Sequence, residues 1–378
     1  MTPRHILPNA MLGILGGGQL GRMFTIAARS MGYRVTVLDP DAESPAGSIA
    51  DVHLRASYDD LGALDRIAET CSAVTTEFEN VPSKSLEYLA ARVRVAPAPE
   101  SVAIAQDRLR EKGFIAAAGL PVAPFIPVES DADLAGELDA LLPGILKLAR
   151  FGYDGKGQVR VATRADCLAA FAALGRKPCV LERQVDLWKE LSVIVVRSSA
   201  LAVLSFPAAE NHHAAGILDV SIVPARIDAQ AAERARGMAL QLADAMDYVG
   251  VLAVEFFVLQ DGEILINEIA PRPHNSGHYT LDACATDQFE QQVRVLCGLP
   301  PGDTRLLTPV VMVNLLGDIW RDDEPAWDEL LTQSNVKLHL YGKKTARIGR
   351  KMGHFNVLSE DVESALSQAE RLKVMLGG

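Results

Sequence analysis

The sequence predicts an α/β chain that opens with a doubly wound parallel sheet and continues into an α+β region of antiparallel strands. Apolar strands alternate with helical patterns over about the first 100 residues, which is typical of a parallel sheet with helices on both faces. From Gly144 onward the strands come in pairs, which is typical of antiparallel sheets. The length of 378 residues also predicts more than one domain, because single cores stop growing near ~250–300 residues.

The first region reads as strands separated by helices. Apolar runs of strand length stand at Met11–Leu15, 33–38 and 73–77. The first run breaks at three glycines that start at Gly16, and a helical pattern follows over 20–31, so strand, glycine turn and helix succeed one another. We place this amino-terminal domain at residues 1–100, because prolines from Pro97 onward interrupt the alternation.

Strand pairs with helices between them characterise the middle of the chain. The predicted strands lie at 145–148, 158–162, 179–182, 191–197, 200–206, 252–259 and 263–269. The last two flank a turn at Asp261 and Gly262, which predicts a β-hairpin. We assign residues 101–305 to this domain, with a lid subdomain over about 120–190, and residues 306–378 to a small closing domain.

The composition restricts the kinds of function. The formal charge of −11 argues against a general nucleic-acid binder, which needs a basic surface to displace counterions from phosphates. No apolar run reaches the ~18 residues that span a bilayer, so no membrane partner is expected. The five cysteines are scattered without a C-x-x-C pair, which indicates neither a disulfide framework nor a zinc site. We therefore expect a cytoplasmic protein whose ligands are small molecules.

A glycine turn follows the first predicted strand. Gly16, Gly18 and Gly21 satisfy G-x-G-x-x-G, and Asp39 ends the next strand. Alone, this pattern is a dinucleotide fingerprint. Its chemistry is broader, because a glycine turn at a helix N-terminus offers backbone N–H groups to any phosphate. A nicotinamide cofactor, another phosphate ligand and a purely structural turn all stay open.

A second glycine-rich loop lies between two predicted strands. The segment from Lys147 to Gln158 reads K-L-A-R-F-G-Y-D-G-K-G-Q. Neither Ser nor Thr follows Lys156 and no helix follows the loop, so it is not a Walker loop. The glycines favour a hairpin lid that closes over phosphates, and Lys147 would supply a fixed positive charge. An ordinary flexible hairpin is the alternative.

Two acidic residues stand on the two strands of the predicted hairpin. Glu255 lies on the first strand, and Glu268 follows Asn267 on the second. Strands this apolar carry both carboxylates into a low-dielectric setting, where an unpaired charge is costly. Oxygen ligands of this kind predict Mg²⁺, for which Mn²⁺ can substitute, bridging nucleotide phosphates. Two solvent-facing acids are the alternative.

A polar segment follows the hairpin. Residues 270–278 read A-P-R-P-H-N-S-G-H. The forked donors of Arg272 suit a substrate phosphate or a transferring phosphoryl group. We assign no chemical role to His274 and His278, because hydrogen-bonded loop histidines are about as common as catalytic ones.

A basic run stands out in an otherwise acidic chain. It comprises Lys343, Lys344, Arg347, Arg350 and Lys351. Interspersed glycines favour an anion pocket over a solvated charged face.

In the first domain, Glu77 and Glu79 end a predicted strand at the edge where open α/β sheets bind ligands. Helix capping is the alternative role for these two acids.

Together these motifs resemble the ATP-grasp superfamily and, within it, the N5-carboxyaminoimidazole ribonucleotide synthase family. The resemblance covers nearly the whole chain. It rests on G-G-G-Q-L-G at 16–21, the segment 77–82, G-Y-D-G-K-G-Q at 152–158, N-E-I-A-P-R-P-H-N-S-G-H at 267–278 and G-R-K-M-G-H at 349–354. It implies an ATP-grasp fold with an amino-terminal Rossmann-like pre-ATP-grasp domain and a small carboxyl-terminal domain. It also suggests a homodimer.

The resemblance implies roles for individual residues. The implied ATP ligands are Arg108, Lys147, Gly152, Tyr153, Asp154, Gly155, Lys156, Gly157, Gln158, Glu182, Arg183, Gln184, Val185, Glu190, His213, Asn267 and Glu268. The implied substrate ligands are Gly18, Gln19, Leu20, Glu77, Glu79, Tyr153, Asp154, Lys156, Arg272, Lys344, Arg350 and Lys351. Glu255 and Glu268 would bind Mg²⁺. The implied catalytic residues are Arg272, Lys147 and Asn275.

The reaction implied by the resemblance is the ATP-dependent carboxylation of 5-aminoimidazole ribonucleotide with bicarbonate, through carboxyphosphate. Another ATP-grasp ligase, such as formate-dependent glycinamide ribonucleotide transformylase or a biotin carboxylase, would use the same nucleotide site. A nicotinamide-dependent oxidoreductase would use the first glycine turn but give the paired acids and the lid no role. A non-catalytic nucleotide-binding regulator is a further alternative.

Overall fold

The computed structural model describes residues 5–150, 152, 157–200, 202–320 and 324–377. Within these ranges the strands form one parallel sheet and two antiparallel sheets. The predicted change from a parallel sheet to antiparallel sheets along the chain is therefore confirmed. The boundaries predicted at residues 100 and 305 stay predictions.

The parallel sheet is built from the amino-terminal part of the chain. Its described strands are β1 (Met11–Leu15), β2 (Arg34–Leu38), β3 (Val52–Leu54), β4 (Ala73–Thr76) and β5 (Arg94–Val95). The helices of this part are α1 (Gln19–Ser30), α2 (Leu61–Thr70), α3 (Ser83–Ala90), α4 (Pro99–Ala105) and α5 (Arg108–Ala117). The strand order β3-β2-β1-β4-β5 reverses direction between β1 and β4. That point brings the glycine turn after β1 beside Glu77 after β4, where open α/β sheets bind ligands.

A smaller antiparallel sheet follows, within the residues 120–190 that the sequence analysis assigns to a lid subdomain. Its described strands, in the order β6-β9-β7-β8, are β6 (Phe125–Val128), β7 (Gly144–Leu148), β8 (Gln158–Val161) and β9 (Cys179–Arg183). Helix α6 (Arg164–Ala173) packs on this sheet through Phe171, and Thr163 caps its N-terminus. Strands β7 and β8 pair Lys147 with Gln158 across the hairpin, so the glycine-rich loop closes at this pair.

The largest sheet is antiparallel and carries most of the remaining chain. Its described strands are β10 (Leu187–Arg197), β11 (Val203–Ser205), β12 (Ala209–Ala214), β13 (Ile217–Val223), β14 (Gly250–Leu259), β15 (Ile264–Ala270), β16 (Val310–Leu316), β17 (Val336–Leu340) and β18 (Lys351–Leu358). The predicted β-hairpin is β14 and β15. The last three strands extend this sheet through pairing of β13 with β16, so the predicted closing domain shares a sheet with the central domain.

Helices and short turns cover the large sheet. The helices are α7 (Ala229–Ala245), α8 (Thr280–Ala283), α9 (Gln288–Leu296), α10 (Trp327–Leu331) and α11 (Val362–Met375). The 3₁₀ turns of the chain include Asp131–Leu134, Asp139–Leu141, Asn275–Gly277 and Gly317–Ile319.

All five cysteines are buried and unpaired. Within the described ranges, no helix combines the length and the apolar composition needed to cross a membrane.

Candidate active site

A cavity of about 640 Å³ lies between the smaller antiparallel sheet and the large sheet. The predicted site residues that line it are Glu79, Arg108, Lys147, Gly152, Gln158, Glu182, Arg183, Gln184, Val185, Glu190, His213, Glu255, Asn267, Glu268, Arg272, Asn275 and Lys351. These residues come from segments far apart in the sequence. The fold therefore places the predicted nucleotide, metal and carboxylation residues in one cleft.

The glycine-rich loop is described only at its ends. Tyr153, Asp154, Gly155 and Lys156 lie outside the described residues. Gly157 has a φ of +73°, and a Cβ atom there would meet the Leu148 side chain at 2.9 Å. Glycine at 157 is therefore required by both the backbone conformation and the close approach of Leu148.

Lys147 lines the cleft, is buried, and shares a carboxylate with a second lysine. Its Nζ donates to Glu182 Oε2 at 2.9 Å, and the Nζ of Lys112 lies 3.3 Å from the same oxygen. Burial alone would raise the pKa of Glu182, but the two lysines together hold it below its ordinary value. Glu182 thus fixes the Lys147 ammonium in the lining of the cavity, which suits a site for phosphates.

Arg108 lies at the opening of α5 and faces the end of β15. Its Nη1 lies 2.8 Å from Glu268 Oε2. Burial would raise the pKa of Glu268, but the neighbouring Arg108 guanidinium lowers it well below its ordinary value. The carboxylate is therefore charged at neutral pH and available to a cation.

The two predicted metal ligands stand directly opposite each other. Glu255 pairs with Glu268 between β14 and β15, and the register then shifts so that Phe256 pairs with Ile266. Asn267 is the extra residue of this β-bulge, which lets Asn267 and Glu268 both line the cavity although they are consecutive in a strand.

The donor set fits a hard divalent cation. Asn267 Oδ1 is buried and has no hydrogen-bond partner within the described residues. Two carboxylates and an amide oxygen are the ligands that Mg²⁺ uses when nucleotide phosphates and water complete its shell. Within the described ranges, no group of three or more His, Cys, Asp or Glu side chains is arranged to hold a metal ion.

The implied ATP ligands Glu182 to Val185, Glu190 and His213 lie on or next to β9, β10 and β12. Glu190 Oε2 lies 2.6 Å from His213 Nδ1. Burial lowers the pKa of His213, but the hydrogen bond and the charge of Glu190 outweigh burial and raise it above its ordinary value. The N–H groups of Arg183 and Gln184 already donate to the carbonyls of Pro124 and Pro143, so these two residues would meet adenine through other atoms.

Arg272 connects the large sheet to the amino-terminal domain. Its Nε lies 2.7 Å from Glu79 Oε2, and Glu79 follows β4. This ion pair brings the polar segment after β15 to the edge of the parallel sheet. Asn275, in the next turn, is buried, and both atoms of its amide lack a hydrogen-bond partner within the described residues.

Among the residues that the structure describes, the predicted substrate residues outside this ion pair lie where the first glycine turn faces the basic run. Lys343 Nζ donates to Gln19 Oε1 at 2.7 Å, and Lys344 Nζ pairs with Glu43 at the surface. Arg350 Nη1 donates to the carbonyl of Thr345 within the same loop. The carboxyl-terminal loop therefore lies against the first glycine turn, at the rim of the cleft.

The backbone donors of the first glycine turn are already engaged by side chains. Glu77 accepts the N–H groups of Gly18 and Leu20, and Asp39 accepts the N–H of Gly17 at 2.7 Å. Asp39 also accepts the Tyr58 hydroxyl, so it holds the turn in place. A pyrophosphate would compete with the Glu77 carboxylate for the same donors, which argues against the nicotinamide alternative.

Sequence reasoning missed two buried residues beside the site. Lys112 is fully buried, and Glu111, which lines the cavity, accepts the N–H of Ile269 at 2.6 Å. Burial raises the pKa of Glu111 to about 8. In the sequence, both residues belong to the charged stretch R-L-R-E-K, which looks like a solvated helix face, and no local signal separates them from exposed neighbours.

Comparisons with known proteins agree with this arrangement. Family profiles match the chain at residues 10–106 for the ribonucleotide synthetase preATP-grasp domain, at 113–289 for the ATP-grasp domain, and at 310–368 for the phosphoribosylaminoimidazole carboxylase C-terminal domain. Fold and site together thus define an ATP-grasp enzyme, an ATP-dependent ligase. The fold class predicted from the resemblance is confirmed.

Relatives of nearly the same length identify the family of ATP-grasp enzymes to which the chain belongs. The N5-carboxyaminoimidazole ribonucleotide synthase of Bacillus subtilis is 46% identical over 363 residues, which cover 95% of this chain and 94% of that protein. The protein of that name from Brucella melitensis is 47% identical over 357 residues, covering 94% and 98%. The chain belongs to the N5-carboxyaminoimidazole ribonucleotide synthase family, as the resemblance predicted.

A solved structure with substrate adds a structural comparison. The crystal structure of N5-carboxyaminoimidazole synthase from Aspergillus clavatus, in complex with ADP and 5-aminoimidazole ribonucleotide, superposes with a TM-score of 0.90. It is 32% identical and the match covers 98% of this chain and 100% of that chain. The likeness therefore extends over the whole arrangement that forms the cleft.

Proposed function

We propose that the chain uses ATP and bicarbonate to carboxylate 5-aminoimidazole ribonucleotide, giving N5-carboxyaminoimidazole ribonucleotide, ADP and phosphate, in purine biosynthesis. The observation that carries this proposal is a single cleft in which Lys147 and the Glu255–Glu268 pair face the same space as Arg272. A phosphoryl group and a carboxylate can meet there. Membership of the family supports the choice of substrates.

At the nucleotide end, we propose that the buried positive charge holds the phosphates of ATP. Lys147 and Arg108 reach the cleft from β7 and α5, each held by a carboxylate within 2.9 Å. Glu190, turned by His213, would accept the ribose hydroxyls, and the segment Glu182 to Val185 would flank adenine. The loop from Gly152 to Gln158, with Tyr153, Asp154 and Lys156, would close over the phosphates.

We assign the divalent cation to Glu255 and Glu268, with the Asn267 amide beside them. When bound, Mg²⁺ supplies positive charge that neutralises the transferring phosphoryl group and orients it for in-line attack. The Glu268 carboxylate is kept charged by Arg108, so it can hold a cation at neutral pH. Mn²⁺ has the same preference for oxygen ligands and would substitute.

At the carboxylation end, Arg272 would hold the phosphorylated bicarbonate. Bicarbonate is a poor electrophile until one oxygen becomes part of a phosphate leaving group. Glu79 fixes the guanidinium of Arg272 through an ion pair. The other N–H donors of Arg272 are then already oriented before the reaction and do not have to reorganise during it. The Asn275 amide, which has no hydrogen-bond partner in the part of the chain that the structure describes, would contact the same intermediate. A closed lid would exclude the water that destroys carboxyphosphate.

The ribonucleotide would lie between the first glycine turn and the basic run. Gly18, Gln19 and Leu20 would form one wall with Glu77, which accepts the N–H groups of Gly18 and Leu20, and Lys351 lines the cleft. Lys344 and Arg350 would reach its phosphate from the carboxyl-terminal loop. We also propose, from the family resemblance, that the enzyme is a cytoplasmic homodimer.

The substrate assignment is tested by phosphate release from ATP in the presence of alternative substrate pairs. We expect release that requires both bicarbonate and 5-aminoimidazole ribonucleotide. Release with formate and glycinamide ribonucleotide, and none with the first pair, would show that the chain is a different ATP-grasp ligase. ATP binding without phosphate release under either pair would support the regulator alternative.

A further inference from the structure

His274 is held at both ring nitrogens. Its Nε2 lies 3.0 Å from Glu255 Oε1, and its Nδ1 lies 2.9 Å from the Ser276 hydroxyl. The backbone N–H of Ser276 also donates to Nδ1, at 3.3 Å. A backbone N–H cannot reverse its direction, so Nδ1 is an acceptor and the proton of the neutral ring sits on Nε2. The Nε2–H bond therefore faces the Glu255 carboxylate.

A chain of buried hydrogen bonds stands behind Nδ1. The Ser221 hydroxyl donates to Asn211 Oδ1 at 2.8 Å, and Asn211 Nδ2 donates to Ser192 Oγ at 3.0 Å. The Ser192 hydroxyl then donates to Ser276 Oγ at 2.7 Å. None of these four side chains, which we call the serine–asparagine chain, is more than 5% exposed. Because Ser276 Oγ accepts from Ser192, its own proton is left for Nδ1.

The pairing of the large sheet explains why the serine–asparagine chain ends at this point. Ser192 stands directly opposite Glu255 between β10 and β14. Asn211 stands opposite Glu190 between β10 and β12. Alternate residues of a strand share a face, so Glu190 and Ser192 are on the face that carries the proposed metal ligand. The chain is therefore buried next to Glu190 and Glu255, which line the cleft.

We propose that His274 is a positioning residue that orients the Glu255 carboxylate through Nε2–H, and that the serine–asparagine chain places the proton on that nitrogen. This inference rests on the proposed role of Glu255 as a metal ligand. A donor on one carboxylate oxygen leaves the other oxygen to the cation and limits rotation of the carboxylate. Outer partners of this kind orient metal ligands, and their loss typically costs ~10- to ~100-fold in metal affinity.

Two substitutions of His274 distinguish the role of Nε2 from that of Nδ1. In His274→Gln the amide nitrogen reaches about as far as Nε2, whereas in His274→Asn the amide extends only to about the position of Nδ1. We expect His274→Asn to weaken Mn²⁺ binding to the ADP-loaded protein by ~10- to ~100-fold, and His274→Gln to change it less than about 3-fold. Electron paramagnetic resonance of free Mn²⁺ measures both affinities without turnover. Unchanged binding in His274→Asn, or equal losses in both variants, overturns the proposal.

The serine–asparagine chain is tested by a matched serine pair. Ser192→Ala removes the donor to Ser276, and we expect it to weaken Mn²⁺ binding by about 3- to 10-fold. Ser198 is also buried, follows the same strand, and its hydroxyl has no hydrogen-bond partner within the described residues, so Ser198→Ala should leave Mn²⁺ binding unchanged. Equal affinities in the two serine variants contradict a role for the chain.

A spectroscopic measurement tests the proton position directly. Nitrogen NMR of the protein labelled at histidine, at about pH 9 where ordinary imidazoles are neutral, should show the His274 proton on Nε2. The His274→Gln spectrum identifies its signals by their loss. A proton on Nδ1 overturns the inference. Failure of the parent protein to bind Mn²⁺ with ADP would instead overturn the metal assignment in the proposed function.

Discussion

Replacing Glu268 with glutamine is expected to lower the rate of ATP-dependent phosphate release by ~100- to ~1,000-fold, the range found when one preorganised electrostatic group is removed from an active site. The substitution keeps the size of the side chain and removes the negative charge that faces Glu255 across β14 and β15. One anionic metal ligand is lost, so Mn²⁺ binding with ADP should weaken in parallel. Phosphate release at saturating substrates measures the first effect.

The fold should survive this substitution. The Glu268 side chain is 37% exposed, and a glutamine oxygen can still accept from Arg108 Nη1, so only the charge of the pair is lost. Glu263→Gln is the control, because Glu263 lies on the exposed turn of the same hairpin. A Glu268→Gln enzyme that kept most of its rate, with the same melting temperature as the control, would refute the metal assignment.

Lys147→Met is the second substitution with a large expected effect. Methionine preserves the apolar stem in a buried position and removes the ammonium group that lies 2.9 Å from Glu182. We expect the turnover rate to fall ~100- to ~1,000-fold, because a fixed cation at the transferring phosphoryl group is lost. ATP affinity should weaken as well. Steady-state phosphate release and nucleotide titration measure the two quantities.

The neighbouring lysine makes this experiment interpretable. Lys112 Nζ remains 3.3 Å from Glu182 Oε2, so the buried carboxylate keeps a cation when Lys147 is replaced. Loss of activity should therefore occur without unfolding. Lys177→Met removes an exposed lysine from the same region and serves as the matched control. If Lys147→Met is as active as Lys177→Met, Lys147 does not act on the phosphates.

The elements that local sequence signals define were predictable. Strand β1 with its glycine turn, and the hairpin of β14 and β15, have apolar runs bounded by glycines and turn residues. Strand β12 was not predicted. It reads A-E-N-H-H-A, and its buried polar residues are held by polar partners, Glu210 by Arg226 and Asn211 by Ser192, so the strand lacks a hydrophobic pattern.

The residue types of the site were predictable, but their contacts were not. That Glu255 and Glu268 lie on adjacent strands follows from the hairpin, but the β-bulge that places Glu268 and not Asn267 opposite Glu255 could not be read from the turn. The contact of Glu77 with Gly18 joins residues 59 positions apart and depends on β4 pairing beside β1. Similarly, Lys112 is buried only because α5 packs against β9 and β15, which no property of the helix sequence reveals.

The position of the metal tests the account most directly. Crystals grown with Mn²⁺ and ADP, measured near the manganese absorption edge, should show an anomalous peak between the carboxylates of Glu255 and Glu268 and in contact with the ADP phosphates. Asn267 Oδ1 should lie in or next to that coordination shell. A peak elsewhere in the protein, or ADP bound with both carboxylates turned away from its phosphates, would contradict the account.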